Sequence, residues 1–318
     1  MIKVGIVGPS RRHNGIGAFV ARFLHDEGAA IVAVCGSTEE SALRAAAEFK
    51  SVFGYRVDGF GTMGKMISSC DLDAIAICSP APFHEDQLEL TATAGLHAFC
   101  EKPLIWTEGS RLPDRVAALT KAFHTNGLVL HQDTQWIFVL EDLRGLLADQ
   151  AIQQTRSFEM FMAPAEPGLS MLWETLPHPI SLLVALGAVG VISDVHVDFA
   201  EDLGGLNIDF HAYRHSADFL NVRIILRAQA TQPRPCYIAL DGIRIDRQVV
   251  SLSPYRLALR RQDSIFRIQD PVQRSVRKFL DLINNRDYPS NSEIVRQFEI
   301  IAALRPFVLR AIDNYIDS

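Results

Sequence analysis

The sequence has no run approaching about 18 uncharged apolar residues, no basic excess and no paired-cysteine spacing, and each absence removes a class of function. Lys and Arg total 31 against 37 Asp and Glu, a net charge of −6, so no overall positive field exists to hold nucleic acid or an anionic membrane. The five cysteines, Cys35, Cys70, Cys78, Cys100 and Cys236, are odd in number and show neither a CxxC spacing nor a His-flanked zinc pattern. Reduced thiols in a cytoplasmic protein are expected, with no metal. The opening Met1-Ile2-Lys3-Val4-Gly5-Ile6-Val7-Gly8 carries too short an apolar run for a signal peptide, so the chain is expected neither to span a membrane nor to be secreted by that route. What remains is an ordinary soluble composition, 48% hydrophobic and 21% charged. At roughly 150 residues per domain, 318 residues make about two domains.

The first half alternates strand and helix. Lys3 to Val7 is a short β-branched run, followed by the segment Gly8 to Gly17 and a helical pattern with Phe19, Val20, Phe23 and Leu24 on one face. Gly28 stops that helix, and Ile31 to Cys35 is a second buried strand. The alternation continues with a strand at Ala74 to Cys78, a helix from His84 toward Gly95, a strand at Leu96 to Cys100, a helix through Arg115 to Phe123, and the apolar Leu128-Val129-Leu130. Such a series implies a doubly wound, mainly parallel sheet whose ligands sit beyond the carboxyl ends of its strands. After about residue 150 the rhythm changes. Strands are expected at Thr155 to Met162, Val191 to Phe199, Leu206 to Tyr213, Phe219 to Leu226, Tyr237 to Leu240 and Ile243 to Val249, with one helix near Trp173 to Leu186. A helical tail runs from Pro271 to Ile316. The division is expected at residues 1–127, the nucleotide-binding α/β domain, and 128–318, an α+β domain on a largely antiparallel open sheet.

Between the first strand and first helix lies Gly8-Pro9-Ser10-Arg11-Arg12-His13-Asn14-Gly15-Ile16-Gly17, where a dinucleotide fold keeps its phosphate turn. The spacing is longer than GxGxxG if Gly17 is the third glycine, the one needed for close helix packing. The backbone N–H groups of Gly15 and Ile16 would then receive a pyrophosphate. An acid normally holds the ribose 2′-OH at the end of the second strand, but Cys35-Gly36-Ser37-Thr38 stands there. Arg11, Arg12 and Arg44 are alternative partners for a 2′-phosphate, which favours NADP over NAD. Ser37 followed by Glu40 also reads as a capping box that needs no ligand, and Glu39 could reach a ribose.

Two further motifs are more specific. Asp73-Ala74-Ile75-Ala76-Ile77-Cys78-Ser79-Pro80 leads to His84, and Gly95-Leu96-His97-Ala98-Phe99-Cys100 ends in Glu101-Lys102-Pro103. With Trp173-Glu174-Thr175-Leu176-Pro177-His178, they resemble the Gfo/Idh/MocA family of glucose-fructose oxidoreductases and inositol dehydrogenases. The resemblance implies an N-terminal Rossmann domain, a second domain that binds substrate and assembles the oligomer, and NADP or NAD as cofactor. It makes Lys102 the catalytic lysine and His178 a proton donor or acceptor, with Glu174 at the family's Asp position. Glu101 and Pro103 would shape the nicotinamide pocket, and Ser79, Pro80 and His84 would line the cofactor. A positioned base contributes typically ~10²–10⁴-fold when a hydroxyl proton must leave with a hydride.

The implied activity is hydride transfer between nicotinamide and a secondary alcohol or ketone of a sugar, cyclitol or polyol. Glu174 is longer than the family's Asp, Leu176 replaces its Gly, and His131-Gln132-Asp133-Thr134-Gln135-Trp136 departs from the Arg-rich or Tyr-Arg-Phe stretch of many relatives. These departures leave two alternatives, a non-catalytic nucleotide-sensing regulator or scaffold and a reductase of a non-sugar substrate. His97 reads as structural. His211 and His215 lie in strand or hairpin surroundings, so they are given no metal. Apolar alternation on both faces of the second sheet, together with the resemblance, points to a homodimer or homotetramer.

Overall fold

The computed structural model describes residues 1–9, 15–105, 111–147, 152–168, 170–199, 204–215, 218–252 and 255–316. The chain divides into two compact units, Met1–Thr134 with Val272–Ser292, and Gln135–Pro271 with Glu293–Ser318. Among the described residues no helix is long and apolar enough to cross a membrane.

The first unit is a doubly wound α/β fold. Its strands are β1 (Lys3–Val7), β2 (Ala30–Cys35), β3 (Asp58–Phe60), β4 (Ala74–Ile77), β5 (His97–Glu101) and β6 (Leu130–Asp133). They form one sheet in the order β3-β2-β1-β4-β5-β6, and every adjacent pair is parallel. The order reverses between β1 and β4, the switch point at which such sheets bind ligands. Helices α1 (Gly17–Asp26), α2 (Glu39–Phe53), α3 (Met63–Ser69), α4 (His84–Thr93) and α5 (Leu112–Thr125) join the strands. Parallel strands covered on both faces need unbroken apolar runs, and Ala74 to Ile77 are all fully buried. In α1, Val20 and Leu24 face the core as expected, but Phe19 is 52% exposed. Only one stripe of a helix packs inward, and Gly17, Val20, Ala21 and Leu24 already fill it.

The boundary expected at residue 127 does not match these units. Polar-looking Leu130-His131-Gln132-Asp133 is the sixth strand of the first sheet. Helix α9 (Pro271–Asn284), from the C-terminal third of the chain, also belongs here, with Val272, Val276, Phe279 and Leu280 in one core cluster with Val4, Val20 and Phe99. Glu27, the C-cap of α1, accepts hydrogen bonds from Gln273 and Arg277 of α9 at 2.8 and 2.9 Å. The Arg277 guanidinium holds the Glu27 carboxyl below its usual range.

The second unit contains α6 (Leu140–Leu147), α7 (Ser170–Thr175) and α8 (Pro177–Ala185). Its strands are β7 (Ser157–Met162), β8 (Ala188–Phe199), β9 (Gly205–Arg214), β10 (Phe219–Arg227), β11 (Cys236–Leu240), β12 (Ile243–Leu252), β13 (Tyr255–Arg261) and β14 (Ser264–Ile268). Helix α10 (Ser292–Ile316) closes the chain. The eight-stranded sheet runs β14-β13-β12-β11-β7-β10-β9-β8 and is antiparallel except where β10 meets β7. The strands β13 and β14 are additional to those expected. The single helix expected at Trp173 to Leu186 is two, because Pro177 has no amide for the turn before it and starts α8 instead.

The expectation of apolar alternation on both sheet faces is also corrected. Ile208, Phe210, Leu220, Val222 and Ile224 are buried on one face. On the other, Arg223 bonds Asp209 at 2.7 Å, Tyr237 donates to Glu159 at 2.8 Å, and the Arg244 guanidinium lies 3.8 Å from the Tyr237 ring centre. Burial and the Glu159 hydrogen bond push the Tyr237 phenol up to about 12. That face is a polar ladder, in which opposite charges meet across strands.

Candidate active site in the first unit

The site is built where three strand ends converge. Gly8 leaves β1 with φ of 76°, its N–H donating to the Cys35 carbonyl at 3.0 Å, while the Cys78 N–H donates to the Val7 carbonyl at 2.8 Å. A Cβ on Gly8 would lie 2.7 Å from the Ser79 nitrogen, and one on Gly17 would lie 2.5 Å from the Gly8 carbonyl oxygen. Both approaches are closer than any side chain tolerates, so the glycines press the turn onto the end of β4 and the start of α1 onto the turn. The N-cap of α1, Ile16, makes no side-chain cap, and the first turn holds no acid. Its leading amides are therefore available to an anion. Gly15 and Ile16 are half-buried beside this turn. Ser10, Arg11 and Arg12 lie outside the described residues.

At the end of β2, Ser37 and Thr38 are exposed. The capping box is shifted by one residue from the Ser37 and Glu40 pair expected. The Thr38 hydroxyl accepts from the Ser41 N–H at 3.1 Å and the Ser41 hydroxyl accepts from the Thr38 N–H at 3.1 Å. Serine serves in place of the usual Glu because its short side chain reaches back to the same amide. No carboxylate occupies Cys35 to Thr38.

The ends of β4 and β5 are tied by His84, the first residue of α4. Its Nδ1 lies 2.7 Å from the Pro103 carbonyl and its Nε2 2.8 Å from the Ser79 carbonyl. Both partners are backbone carbonyl acceptors. The ring is 1% exposed and clasps the two loops together. Ser79, itself 5% exposed, donates to Gln87 Oε1 at 2.6 Å, and Pro80 is exposed beside it. Between these anchors the chain presents Glu101, buried, then Lys102, half-buried, and then Pro103.

Two residues quoted above only as a departure from the family pattern lie at the same strand ends. Asp133, 2% exposed, pairs in register with Glu101, and Gln132, 5% exposed, pairs with Cys100. Both polar atoms of the Gln132 amide are buried without a hydrogen-bond partner among the described residues. Burial, reinforced by the charges of Glu101 and Asp133, pushes the Cys100 thiol well above its usual value. The available signal was the polar His131-Gln132-Asp133 directly after the apolar Leu128-Val129-Leu130. In the second unit, Glu174 stands on the short helix α7, and His178, 5% exposed, is in the first turn of α8, where its carbonyl accepts from the Ser181 hydroxyl at 2.7 Å.

Residues 2–131 match the sequence model of the Gfo/Idh/MocA family, described as an oxidoreductase family with an NAD-binding Rossmann fold. The chain is also 33% identical over 144 residues to a D-apiose dehydrogenase of Paraburkholderia graminis, a match spanning 43% of this chain and only 36% of that relative. Over nearly its whole length the chain shares the fold of KijD10, a 3-ketoreductase from Actinomadura kijaniata whose structure is in complex with NADP and TDP-benzene. That likeness has a TM-score of 0.69 and 17% identity, covering 96% of this chain and 97% of the other. The UDP-N-acetylglucosamine 3-dehydrogenase GnnA from Acidithiobacillus ferrooxidans is similar with a TM-score of 0.70 and 17% identity, covering 99% and 98%. The fold shared with these two structures thus includes the second unit.

Proposed function

We propose that the protein is an NAD(P)-dependent oxidoreductase that interconverts a secondary alcohol and a ketone on a sugar, cyclitol or related polyol. The observation that supports this reading is the pair of close approaches at Gly8 and Gly17, which press the turn after β1 onto the end of β4 and the start of α1 onto the turn, at the same end of the sheet as the loop that presents Lys102. The bound nicotinamide would supply the redox equivalent. The first-turn amides of α1 would hold its pyrophosphate, and Ser79, Pro80, Glu101 and Pro103 would shape the surface around it. Lys102 would hydrogen-bond the substrate hydroxyl and, with His178, manage the proton, while Glu174 would help orient the substrate. NADP is favoured because no acid stands at Cys35 to Thr38 to repel a 2′-phosphate, with Ser37 exposed there and Arg44 on α2. The sugar class is supported by what the named relatives act on.

The test compares thermal unfolding with NADP(H), NAD(H) and no dinucleotide, then follows absorbance at 340 nm with a panel of nucleotide sugars, pentoses and inositols. A larger shift with NADP(H) and turnover on at least one polyol are expected. Absence of a shift with every dinucleotide would sink the reading.

A further inference from the structure

Lys102 is the first residue beyond the ladders that fix its neighbours. Pairing of β4 with β5 ends at Ile77 with Cys100, and pairing of β5 with β6 ends at Glu101 with Asp133. The chain is anchored again at Leu104 and Ile105, which are buried. Between these anchors lie Lys102, half-buried, and Pro103, buried, which has no N–H to give to a neighbour. The Pro103 carbonyl is met by His84 Nδ1 at 2.7 Å. The base of that contact is rigid. His84 opens α4, whose Leu88 and Thr91 are fully buried, whose Gln87 accepts from the Ser79 hydroxyl at 2.6 Å, and whose Glu85 pairs with Arg115 of α5 at 2.5 Å. On its other side the ring reaches the Ser79 carbonyl at 2.8 Å. A ring wedged in this way carries the position of a packed helix to the short span beyond the ladders. A buried carbonyl without a partner is costly, so the span settles where the ring meets it.

We propose that His84 is a positioning residue for Lys102, acting through the Pro103 carbonyl to set where the lysine amine stands at the carboxyl ends of β4 and β5. Its consequence for turnover rests on the oxidoreductase reading, whereas the placement of the amine does not. Pro103 is bonded directly to Lys102, so a shift of its carbonyl moves the lysine backbone with it. The two ring nitrogens have separable tasks. An Asn side chain places its amide where Nδ1 stands, and a Gln side chain places its amide nearer to Nε2. His84→Asn therefore keeps a donor for Pro103 and gives up Ser79, while His84→Gln keeps Ser79 and gives up Pro103. A ring that only filled space would be replaced better by Gln, the closer match in size. Positioning through Pro103 gives the opposite order.

The experiment reads the amine itself. Trace acetylation of the folded full chain, followed by mass spectrometry, gives the reactivity of Lys102 relative to the exposed Lys50 and Lys65 in the wild type, His84→Asn and His84→Gln, with circular dichroism on each. Lys102 should label several-fold faster in His84→Gln and near the wild-type rate in His84→Asn. Equal labelling in all three, or a larger change with Asn than with Gln, would overturn the proposal. If His84→Gln does not fold, His84→Ala takes its place, and added imidazole should return its Lys102 rate toward that of the wild type; a rate that ignores imidazole counts against the proposal. On a polyol that the wild type accepts, kcat should fall about tenfold or more in His84→Gln with KM for NADP within about twofold, and the difference between Asn and Gln should vanish when Lys102→Ala is added to each. A difference that persists without Lys102 would also overturn it. A wild type with neither a dinucleotide shift nor turnover would sink the oxidoreductase reading alone, and the labelling would still decide what holds Lys102.

Discussion

The two ends of the first sheet are made of the same strands and solve opposite problems. At the amino ends, short local ties close the fold. The Lys3 N–H donates to Asp73 at 2.7 Å, and His97 Nδ1 accepts from the Val129 N–H at 2.9 Å while its ring stacks on Tyr288 at 6.2 Å. At the carboxyl ends the strands stop in buried polar groups, Ser79, Glu101, Gln132 and Asp133, and the loops are held by glycine contacts and by His84. Buried polarity stabilises a fold less than apolar packing does, so its concentration at one end marks that end as the one shaped for chemistry.

Variants can sharpen or break this contrast. The largest expected effect is on acid stability and centres on His131, which stacks against Phe99 at 5.5 Å and bonds the Ser275 hydroxyl at 2.9 Å. Burial, followed by the charge of Lys278, pushes its imidazole down to about 3. The folded state keeps this ring neutral while the unfolded chain protonates it near 6.5, so the stabilisation is complete above that value and is lost as pH falls from there toward 3. Urea unfolding of the wild type should lose up to ~1.4 kcal/mol per pH unit more than His131→Phe over that window. Equal slopes in the two proteins would contradict the assignment.

Next in size is Gly17→Ala. With a Cβ 2.5 Å from the Gly8 carbonyl, the start of α1 must shift, and a stability loss of roughly 1–3 kcal/mol is expected together with loss of the NADP-dependent rise in melting temperature. Retention of that rise would show that the turn does not receive the cofactor. The smallest effect belongs to the other end. His97→Ala removes the acceptor of the Val129 N–H and should lower stability by about 1 kcal/mol with kcat and KM for the cofactor unchanged. A fall in kcat comparable to that of a carboxyl-end variant would erase the distinction between the ends.

Much of this architecture was legible because the residues that make it obey local rules. The stops at Gly28 and the apolar runs of β1, β2 and β4 follow from left-handed glycine and from burial on both faces. The strand β6 was not, since His131, Gln132 and Asp133 are polar for reasons of tertiary position, one packed on α9 and two at the site. The arginine-rich hairpin of β13 and β14 hid its strands in the same way, its alternation blurred by Arg256, Arg260, Arg261 and Arg267. Pro177 could have split α7 from α8 on sequence alone, as N1 is its favoured helix position. In the site, the motif at Glu101 to Pro103 was visible as text, whereas the clasp by His84 between Ser79 and Pro103 joins residues far apart in the chain and needed the fold.

The most direct measurement compares Lys102→Ala with the wild type by NADP-induced thermal shift and by turnover at 340 nm on whichever polyol the wild type accepts. The account predicts a nearly unchanged shift and a turnover lower by about 10²–10⁴-fold. Turnover equal to the wild type would contradict it.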